Sequence, residues 1–331
     1  MMRRYLLWGA LTLAAFGCGD DDGAGGDGGT DSDTDTDTDS DTDSDTEAAT
    51  CDNLADGWNY GWDVGDEAYD FILHLPDGVV TDGSGSWAVV FNWHSLGTGA
   101  GMFDDFISTI YDNETMPFIG VTPDSNGYTF MTQDMTWDVF SVGEGATGNA
   151  DVALFDQLIE CFEARYGIDE DHIHSMGFSL GGIMSDLLGT VRGDVLASIG
   201  TYSGGYFSNA ANDAVLGVAA SMINWPNPTH ENMYGQLLCH GGTNDNFNLS
   251  VVTIQFDQLG NNDVAYLNTL GHDVIHCVNP SATQHGDLGG LPQPGGFVEF
   301  FAAHGLGVEA SPWASGLPSS GFSLCTYEAK D

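Results

Sequence analysis

One serine of this chain lies where a strand-like stretch gives way to a helical pattern. The segment HSMGFSLGGIMSDLLG (residues 174–189) holds Ser179, with glycines two residues before and two residues after it. In a chain with 46 glycines, a G-x-S-x-G pentad alone is weak evidence. Here, however, apolar residues follow at helical spacing, at Leu180, Ile183, Met184, Leu187 and Leu188. The context therefore predicts a sharp strand-to-helix turn that exposes the hydroxyl, as an activated nucleophile requires.

Strand-like and helix-like stretches alternate from Cys51 onward. The clearest helix is at residues 151–167, where apolar side chains share one face and Gly167 is suited to cap the end. Alternation of this kind predicts a three-layer α/β fold with a mostly parallel central sheet. The predicted strands are 69–75, 87–93, 118–123, 172–176, 197–205, 236–242 and, as the last, 273–278.

A nucleophilic serine needs a base, and the base needs an acid to orient it. In strand-turn-helix hydrolases the order along the chain is serine, then acid, then histidine. Asp245 follows the strand QLLCHGG, and His285 lies in the loop after the strand DVIHCV. Both loops open at the carboxyl edge of the sheet, where the serine lies. The sequence therefore predicts Ser179, Asp245 and His285 as a catalytic triad.

The other histidines are weaker candidates for the base. His304 falls in a late helix, His272 would lie at the wrong end of the sheet, and His276 is inside a strand. His172 and His174 form an H-x-H pair on one strand face, but no third metal ligand is evident nearby, so we predict no metal site. His240 remains a candidate for fixing the Asp245 loop.

An oxyanion hole needs two backbone N–H donors. We expect one from Leu180, directly after the nucleophile. The other is expected from Ser95 or Leu96, in the loop that follows the early strand WAVVFNW.

Four segments carry a resemblance to a known family: WAVVFNWHSLG, YGIDEDHIHSMGFSLGG, GGTND, and the His285 loop with FVEFFAAHGLG. Together they resemble the secreted serine esterases grouped around polyhydroxybutyrate depolymerases, feruloyl esterases and acetylxylan esterases, over most of residues 69–307. The resemblance implies the α/β-hydrolase fold, with Ser179 as nucleophile, Asp245 as acid and His285 as base. The chain departs from the family pattern at three positions: Ser95 and Gln284 replace glycines, and Gly241 is additional.

Charge limits the partners of this protein. The net charge is −44 with five Lys and Arg residues, which excludes nucleic acid and anionic membrane surfaces as partners and disfavours acidic substrates. His94 and Trp137 are predicted to contact substrate. Aromatic residues near predicted loops either stack on a sugar or aromatic acyl group or pack in the core: Trp93, Tyr128, Trp137 and Trp225.

The N-terminal residues are not part of the predicted domain. Residues 1–18 have two arginines, a short apolar run and a cysteine, as in a bacterial lipoprotein signal peptide, so Cys18 is predicted to be lipidated. An ordinary signal peptide is the alternative. Residues 19–50 are rich in Asp, Thr, Ser and Gly and are predicted to form an extended acidic linker. Residues 51–331 form the predicted catalytic domain, attached to a membrane only through the lipid.

Export makes disulfides plausible for the five remaining cysteines. Cys51 and Cys325 lie near the two ends of the domain, and Cys239 and Cys277 lie in two strands that could be neighbours. These two pairs would leave Cys161 unpaired.

The leading interpretation is an exported carboxylic ester hydrolase, at the outer membrane or cell surface or secreted, that works through an acyl-enzyme without a cofactor. Its expected substrates are polymer or plant cell-wall esters: polyhydroxyalkanoate, feruloyl or acetyl xylan esters. The alternatives are a serine peptidase of the same fold and a non-catalytic carbohydrate-binding surface lipoprotein.

Overall fold

Short apolar runs become buried strands of a central sheet. The computed structural model describes residues 50–330, apart from 112, 131–132, 141, 229 and 250–251, so the predicted signal peptide, Cys18 and nearly all of the linker lie outside the described residues. Every residue of the run FIGVTP is buried, as are six of the seven in WAVVFNW. Helices cover both faces of these strands, which is why neither shows a polar face.

The described residues form a central sheet of nine strands and two small hairpins. In the sheet the order is β1-β2-β4-β3-β7-β8-β9-β12-β13, with parallel pairing from β4 through β12 and antiparallel strands at both edges. The hairpins are β5-β6 and β10-β11. The strands are β1 (Gly57–Val64), β2 (Glu67–His74), β3 (Trp87–Trp93), β4 (Phe118–Pro123), β5 (Tyr128–Phe130), β6 (Gln133–Met135), β7 (Ile168–Phe178), β8 (Ser198–Tyr202), β9 (Gly235–His240), β10 (Asn246–Asn248), β11 (Thr253–Gln255), β12 (Val274–Val278) and β13 (Cys325–Glu328).

Two helical layers enclose this sheet. The α-helices are α1 (Ala100–Ile107), α2 (Ala150–Tyr166), α3 (Leu180–Arg192), α4 (Asp213–Leu216), α5 (Phe256–Thr269) and α6 (Pro294–Ala303). One core joins α2, α3 and α5 to the sheet, and the second joins α1 and α6 to it. Alternate residues of β3 enter the two cores, Val89 the first and Val90 the second, as strand geometry requires. The predicted three-layer α/β fold is therefore confirmed.

Helix α2 matches the sequence prediction closely. Its last residue is Tyr166, and Gly167 caps it at a φ of 72° with its N–H directed to the carbonyls of Phe162 and Glu163. At the other end the Asn149 side chain accepts a hydrogen bond from the N–H of Val152.

No helix within the described residues is long and apolar enough to span a bilayer.

The prediction that the strand at 273–278 is the last one was wrong. Strand β13 follows it and pairs antiparallel with β12 at the edge of the sheet. Each of its residues is at least partly exposed, so its sequence lacks the apolar run by which the inner strands were recognised.

The predicted disulfide pairing was also wrong. The structure pairs Cys51 with Cys161 and Cys277 with Cys325, and leaves Cys239 buried and free. Cys277 lies between two cysteines: Cys239 on the parallel strand β9 and Cys325 on the antiparallel strand β13. It bonds to Cys325. Antiparallel partners approach most closely at non-hydrogen-bonded positions, and the two Cα atoms here are 4.0 Å apart.

The Cys51–Cys161 bridge is expected to stabilise the domain because it joins residues 110 positions apart. A Cys51→Ala/Cys161→Ala variant should lose about 3 kcal/mol of unfolding free energy, mainly because the unfolded chain gains freedom. Urea denaturation under non-reducing conditions measures the loss. Peptide mapping of the wild type provides the control, and a Cys51 peptide linked to Cys325 would contradict the pairing.

Candidate active site

Ser179 sits on a strained turn between β7 and α3. It has a φ of 57° and a ψ of −120°, an unfavourable conformation for a residue with a side chain. Its N–H donates to the carbonyl of Tyr202 at 2.8 Å, and its own carbonyl accepts from Ile183. Strain of this kind persists where the surrounding structure over-determines it, which is common at functional sites.

The two glycines of the pentad are required by close backbone approach. A Cβ on Gly177 would lie 2.2 Å from the carbonyl oxygen of Gly181, and a Cβ on Gly181 would lie 2.0 Å from that of Trp93. Neither backbone atom can move aside as a flexible side chain would. The turn therefore admits only glycine on both sides of Ser179.

The structure brings Ser179, His285 and Asp245 together at the carboxyl edge of the sheet. His285 Nε2 lies 2.9 Å from Ser179 Oγ, and His285 Nδ1 lies 2.6 Å from Asp245 Oδ1. An ionised carboxylate is an acceptor only, so Nδ1 carries the proton and Nε2 accepts from the serine hydroxyl. Ser179 is 6% exposed and Asp245 is 1% exposed.

Two further donors meet the Asp245 carboxylate. The hydroxyl of Ser203 donates to Oδ2 at 2.7 Å, and the N–H of Gly241 donates to the same oxygen at 2.8 Å. Burial alone would raise the pKa of Asp245, but the hydrogen bonds from His285, Gly241 and Ser203 lower it overall. Asp245 is therefore held ionised, and Gly241, additional to the family pattern, supplies one of the donors.

Sequence reasoning did not identify Ser203 as part of this site. It directly follows β8 at the same sheet edge as the triad, and that position is the signal that could have identified it. The aromatic residues around the imidazole were missed as well. The rings of Phe256 and Phe178 stack on His285 at centroid distances of 4.7 and 5.1 Å, and Phe247, 38% exposed, lies 5.7 Å away.

The predicted oxyanion donors lie in segments that meet at this edge. Leu180 begins α3 directly after Ser179. Ser95 and Leu96 follow β3, and the last residue of β3, Trp93, pairs in register with Gly177. The loop is tied internally, since the Thr98 hydroxyl donates to the carbonyl of Ser95 at 2.8 Å.

His94 and Trp137 have no exposed surface, which corrects the expectation that they contact substrate. Their ring centroids are 4.8 Å apart, and the indole N–H of Trp137 donates to the carbonyl of His94 at 2.8 Å. Burial lowers the pKa of His94, although the Ser95 carbonyl and Asp124 oppose this shift. The pair thus supports the loop after β3 from inside, and it presents no ring face to a ligand.

Two of the other aromatic candidates also pack in the core. Trp93 is fully buried, and its indole N–H donates to the Ser175 hydroxyl. Trp225 is nearly buried, and its indole N–H donates to the carbonyl of Val139. Tyr128 is half-buried in β5.

His240 lies beside the Asp245 loop, where a supporting role was predicted for it. Its Nδ1 accepts from the N–H of Gly242 at 3.1 Å, and its Nε2 lies 2.9 Å from Nε2 of His276. Burial lowers the pKa of His240 to about 4, helped by His276 and opposed by Asp245, so its ring is neutral near pH 7.

Three other histidines are engaged in packing. His174 is fully buried against the Ser198 hydroxyl, His272 Nδ1 lies 2.9 Å from the carbonyl of Tyr234, and His304 contacts Ser311. Within the described ranges no group of three or more His, Cys, Asp or Glu side chains is arranged to hold a metal ion.

Comparison with known proteins identifies the fold. No protein-family model and no curated protein matches the sequence. Among solved structures, the native form of a protein called pOPH gives a TM-score of 0.64 at 15% identity, over 86% of this chain and 97% of that one. An acylaminoacyl peptidase from Pyrococcus horikoshii gives 0.50 at 17% identity, over 81% and 44% of the respective chains.

The structural similarity is lower for a CE1 ferulic acid esterase from Anaeromyces mucronatus in complex with ferulic acid. Its TM-score is 0.47 at 18% identity, over 78% of this chain and 95% of that one. At sequence identities this low, the structural similarity shows a shared fold and nothing more. The fold matches the α/β-hydrolase architecture that the sequence resemblance implies.

The close contact at Gly181 can be tested by substitution. Gly181→Ala should lower the unfolding free energy by about 3 kcal/mol, at the upper end for an overpacked core, because its Cβ meets rigid backbone. Urea denaturation measures the change. Gly295→Ala, in α6 with nothing within 4 Å of the added Cβ, is the matched control and should be neutral or stabilising. Equal midpoints for both variants would contradict the geometry.

Proposed function

We propose that this protein is a carboxylic ester hydrolase that uses Ser179 as nucleophile, His285 as general base and Asp245 as the orienting acid. One observation carries the proposal: the unbroken pair of hydrogen bonds, 2.6 and 2.9 Å long, that joins the buried carboxylate through the imidazole to the strained serine. A hydroxyl so placed can lose its proton to the imidazole as it attacks a carbonyl.

In the acylation half-reaction, Ser179 Oγ attacks the ester carbonyl carbon while its proton passes to Nε2 of His285. Negative charge develops on the carbonyl oxygen, which the N–H of Leu180 and an N–H of Ser95 or Leu96 would stabilise. The tetrahedral intermediate then breaks its bond to the alkoxy oxygen, and His285 returns the proton to the departing alcohol. The acyl group remains on Ser179.

Deacylation repeats these steps with water as the nucleophile. His285 accepts a proton from the water as it attacks the acyl-enzyme, and it then protonates Ser179 as the carboxylic acid leaves. In both halves the imidazole becomes briefly positive. The Asp245 carboxylate stabilises this charge, and its low pKa keeps it ionised for that purpose.

Charge supports a neutral ester as substrate. Arg192 pairs with Asp156 at 2.6 Å, Arg165 lies 3.7 Å from Asp52, and the Lys330 ammonium contacts the carbonyl of Glu309. These are the basic residues of the described part of the chain, and each is engaged away from the triad. A polymeric or plant cell-wall ester, such as a polyhydroxyalkanoate, feruloyl or acetyl xylan ester, needs no such cation.

The two disulfides support export to an oxidising compartment. We place the protein at the cell surface through a lipid on Cys18, with the acidic linker as a spacer. Secretion without the lipid is the alternative.

A fluorophosphonate probe tests the nucleophile directly. The full-length wild type should form one adduct on Ser179, located by mass spectrometry, and both Ser179→Ala and His285→Ala should abolish it. Ser221→Ala, at an exposed serine, is the matched control and should label normally. Before labelling, the wild type and Ser221→Ala should hydrolyse p-nitrophenyl esters faster than peptide anilides. The reverse preference would favour the peptidase, and an unlabelled folded wild type would favour the carbohydrate-binding lipoprotein.

The anchor is tested by metabolic labelling with a palmitate analogue in a bacterial host. The wild type should carry the label and sediment with membranes, whereas Cys18→Ala should be unlabelled and soluble. Cys239→Ala is the matched control. An unlabelled wild type in the medium would contradict the lipid and leave secretion.

A further inference from the structure

We propose that Ser203 is a positioning residue of the triad, which fixes the Asp245 carboxylate through its side-chain hydroxyl. The inference rests on the proposed hydrolase function and adds a fourth side chain to it. Ser203 reaches no substrate in this role, since it acts through Asp245.

The hydrogen bonds around Asp245 show what Ser203 contributes. Oδ1 of Asp245 faces His285, so the other oxygen, Oδ2, must be held if the carboxylate plane is to stay aligned with the imidazole. Oδ2 has two donors, the Ser203 hydroxyl at 2.7 Å and the Gly241 N–H at 2.8 Å. Gly241 belongs to the same loop as Asp245 and moves with it. Ser203 follows another strand, so it alone of the two fixes the carboxylate relative to the sheet.

The segment that carries Ser203 touches both ends of the triad. Tyr202, the last residue of β8, accepts the N–H of Ser179 through its carbonyl at 2.8 Å, and the next residue, Ser203, holds Asp245. Two consecutive residues thus link nucleophile and acid without passing through His285. This second connection sets the distance that the imidazole has to bridge.

The backbone at Ser203 is strained and firmly held. Its φ is 54°, and its N–H donates to the carbonyl of Cys239 at 2.7 Å. Two residues on, the N–H of Gly205 donates to the buried carboxylate of Asp186 in α3, the helix that begins at the nucleophile. A serine that only filled the core would need neither the left-handed conformation nor a partner 42 residues away.

Loss of the hydroxyl should weaken the hold on the carboxylate. With one donor fewer on Oδ2, the Asp245 carboxylate can turn out of the plane of the imidazole, so kcat should fall while KM changes little. The other titratable groups near Asp245 are His240, at the end of β9, and its partner His276 in β12. Burial lowers the pKa of both.

The experiment compares Ser203→Ala and Ser203→Gly with Ser198→Ala in the full-length protein. Ser198 begins the same strand and is as buried, but its hydroxyl bonds to His174 at the opposite end. We expect Ser203→Ala to lower kcat for a p-nitrophenyl ester about tenfold with KM little changed, which is the size of one lost hydrogen bond to a charged group. Ser203→Gly relieves the strained φ and should show the same kinetic change in a stably folded protein.

Ser198→Ala should lower the thermal midpoint but leave kcat and KM unchanged. If the Ser203 variants behave as Ser198→Ala does, the hydroxyl is structural and the inference is overturned.

Failure of the proposed function is recognised separately. If the wild type neither hydrolyses esters nor reacts with a fluorophosphonate, the downfield proton resonance of the His285 Nδ1–H still reports its bond to Asp245. That resonance should shift in Ser203→Gly and stay in Ser198→Ala, and an unmoved resonance would overturn the inference.

Discussion

The position of Ser179, the proposed nucleophile, depends on one close contact, between the first turn of α3 and the end of β3. The Gly181 backbone approaches the Trp93 carbonyl so closely that no side chain fits between them. Since Trp93 also pairs with Gly177, the ends of two strands and the start of a helix share one small volume. Ser179 is therefore held in its strained conformation beside the loop that begins at His94. The packing of the first helical turn thus determines where the Ser179 hydroxyl lies.

The features that the sequence could predict are those with a local signature. The turn at Ser179 follows from glycine spacing and helical periodicity, and the order of Ser179, Asp245 and His285 follows from strands that end in polar loops. The disulfides could not be paired in this way, because Cys277 has a cysteine on each side and only strand direction distinguishes them. The burial of Trp137 was hidden for a similar reason, since its partner His94 is 43 residues away. Ser203 has only its place after β8 as a signal, and its bond to Asp245 forms because β8 and β9 lie side by side.

The hydrogen bonds within the triad are short compared with the range of the electric field of this strongly acidic molecule. A net charge of −44 would favour imidazolium and oppose an oxyanion if its field acted unscreened. At physiological ionic strength such fields decay over about 8 Å, whereas the triad contacts are under 3 Å. The rings of Phe178 and Phe256 also stack on His285, at centroid distances of 5.1 and 4.7 Å. The electrostatic environment of the triad is thus set by the groups in direct contact with it. The acidic surface can favour solubility without disturbing these contacts.

The bridge between Cys51 and Cys161 also determines how the domain bears mechanical load. A pull on the chain that precedes Cys51 enters the domain at that residue and passes through the sulfur atoms into α2, which is packed in the larger core. Strands β1 and β2, at the edge of the sheet and next along the chain, lie inside the covalent loop and carry none of this force. An antiparallel edge pair pulled from its end would otherwise separate one hydrogen bond at a time. Tension on the chain before Cys51 would therefore not unzip the edge of the sheet where the chain enters.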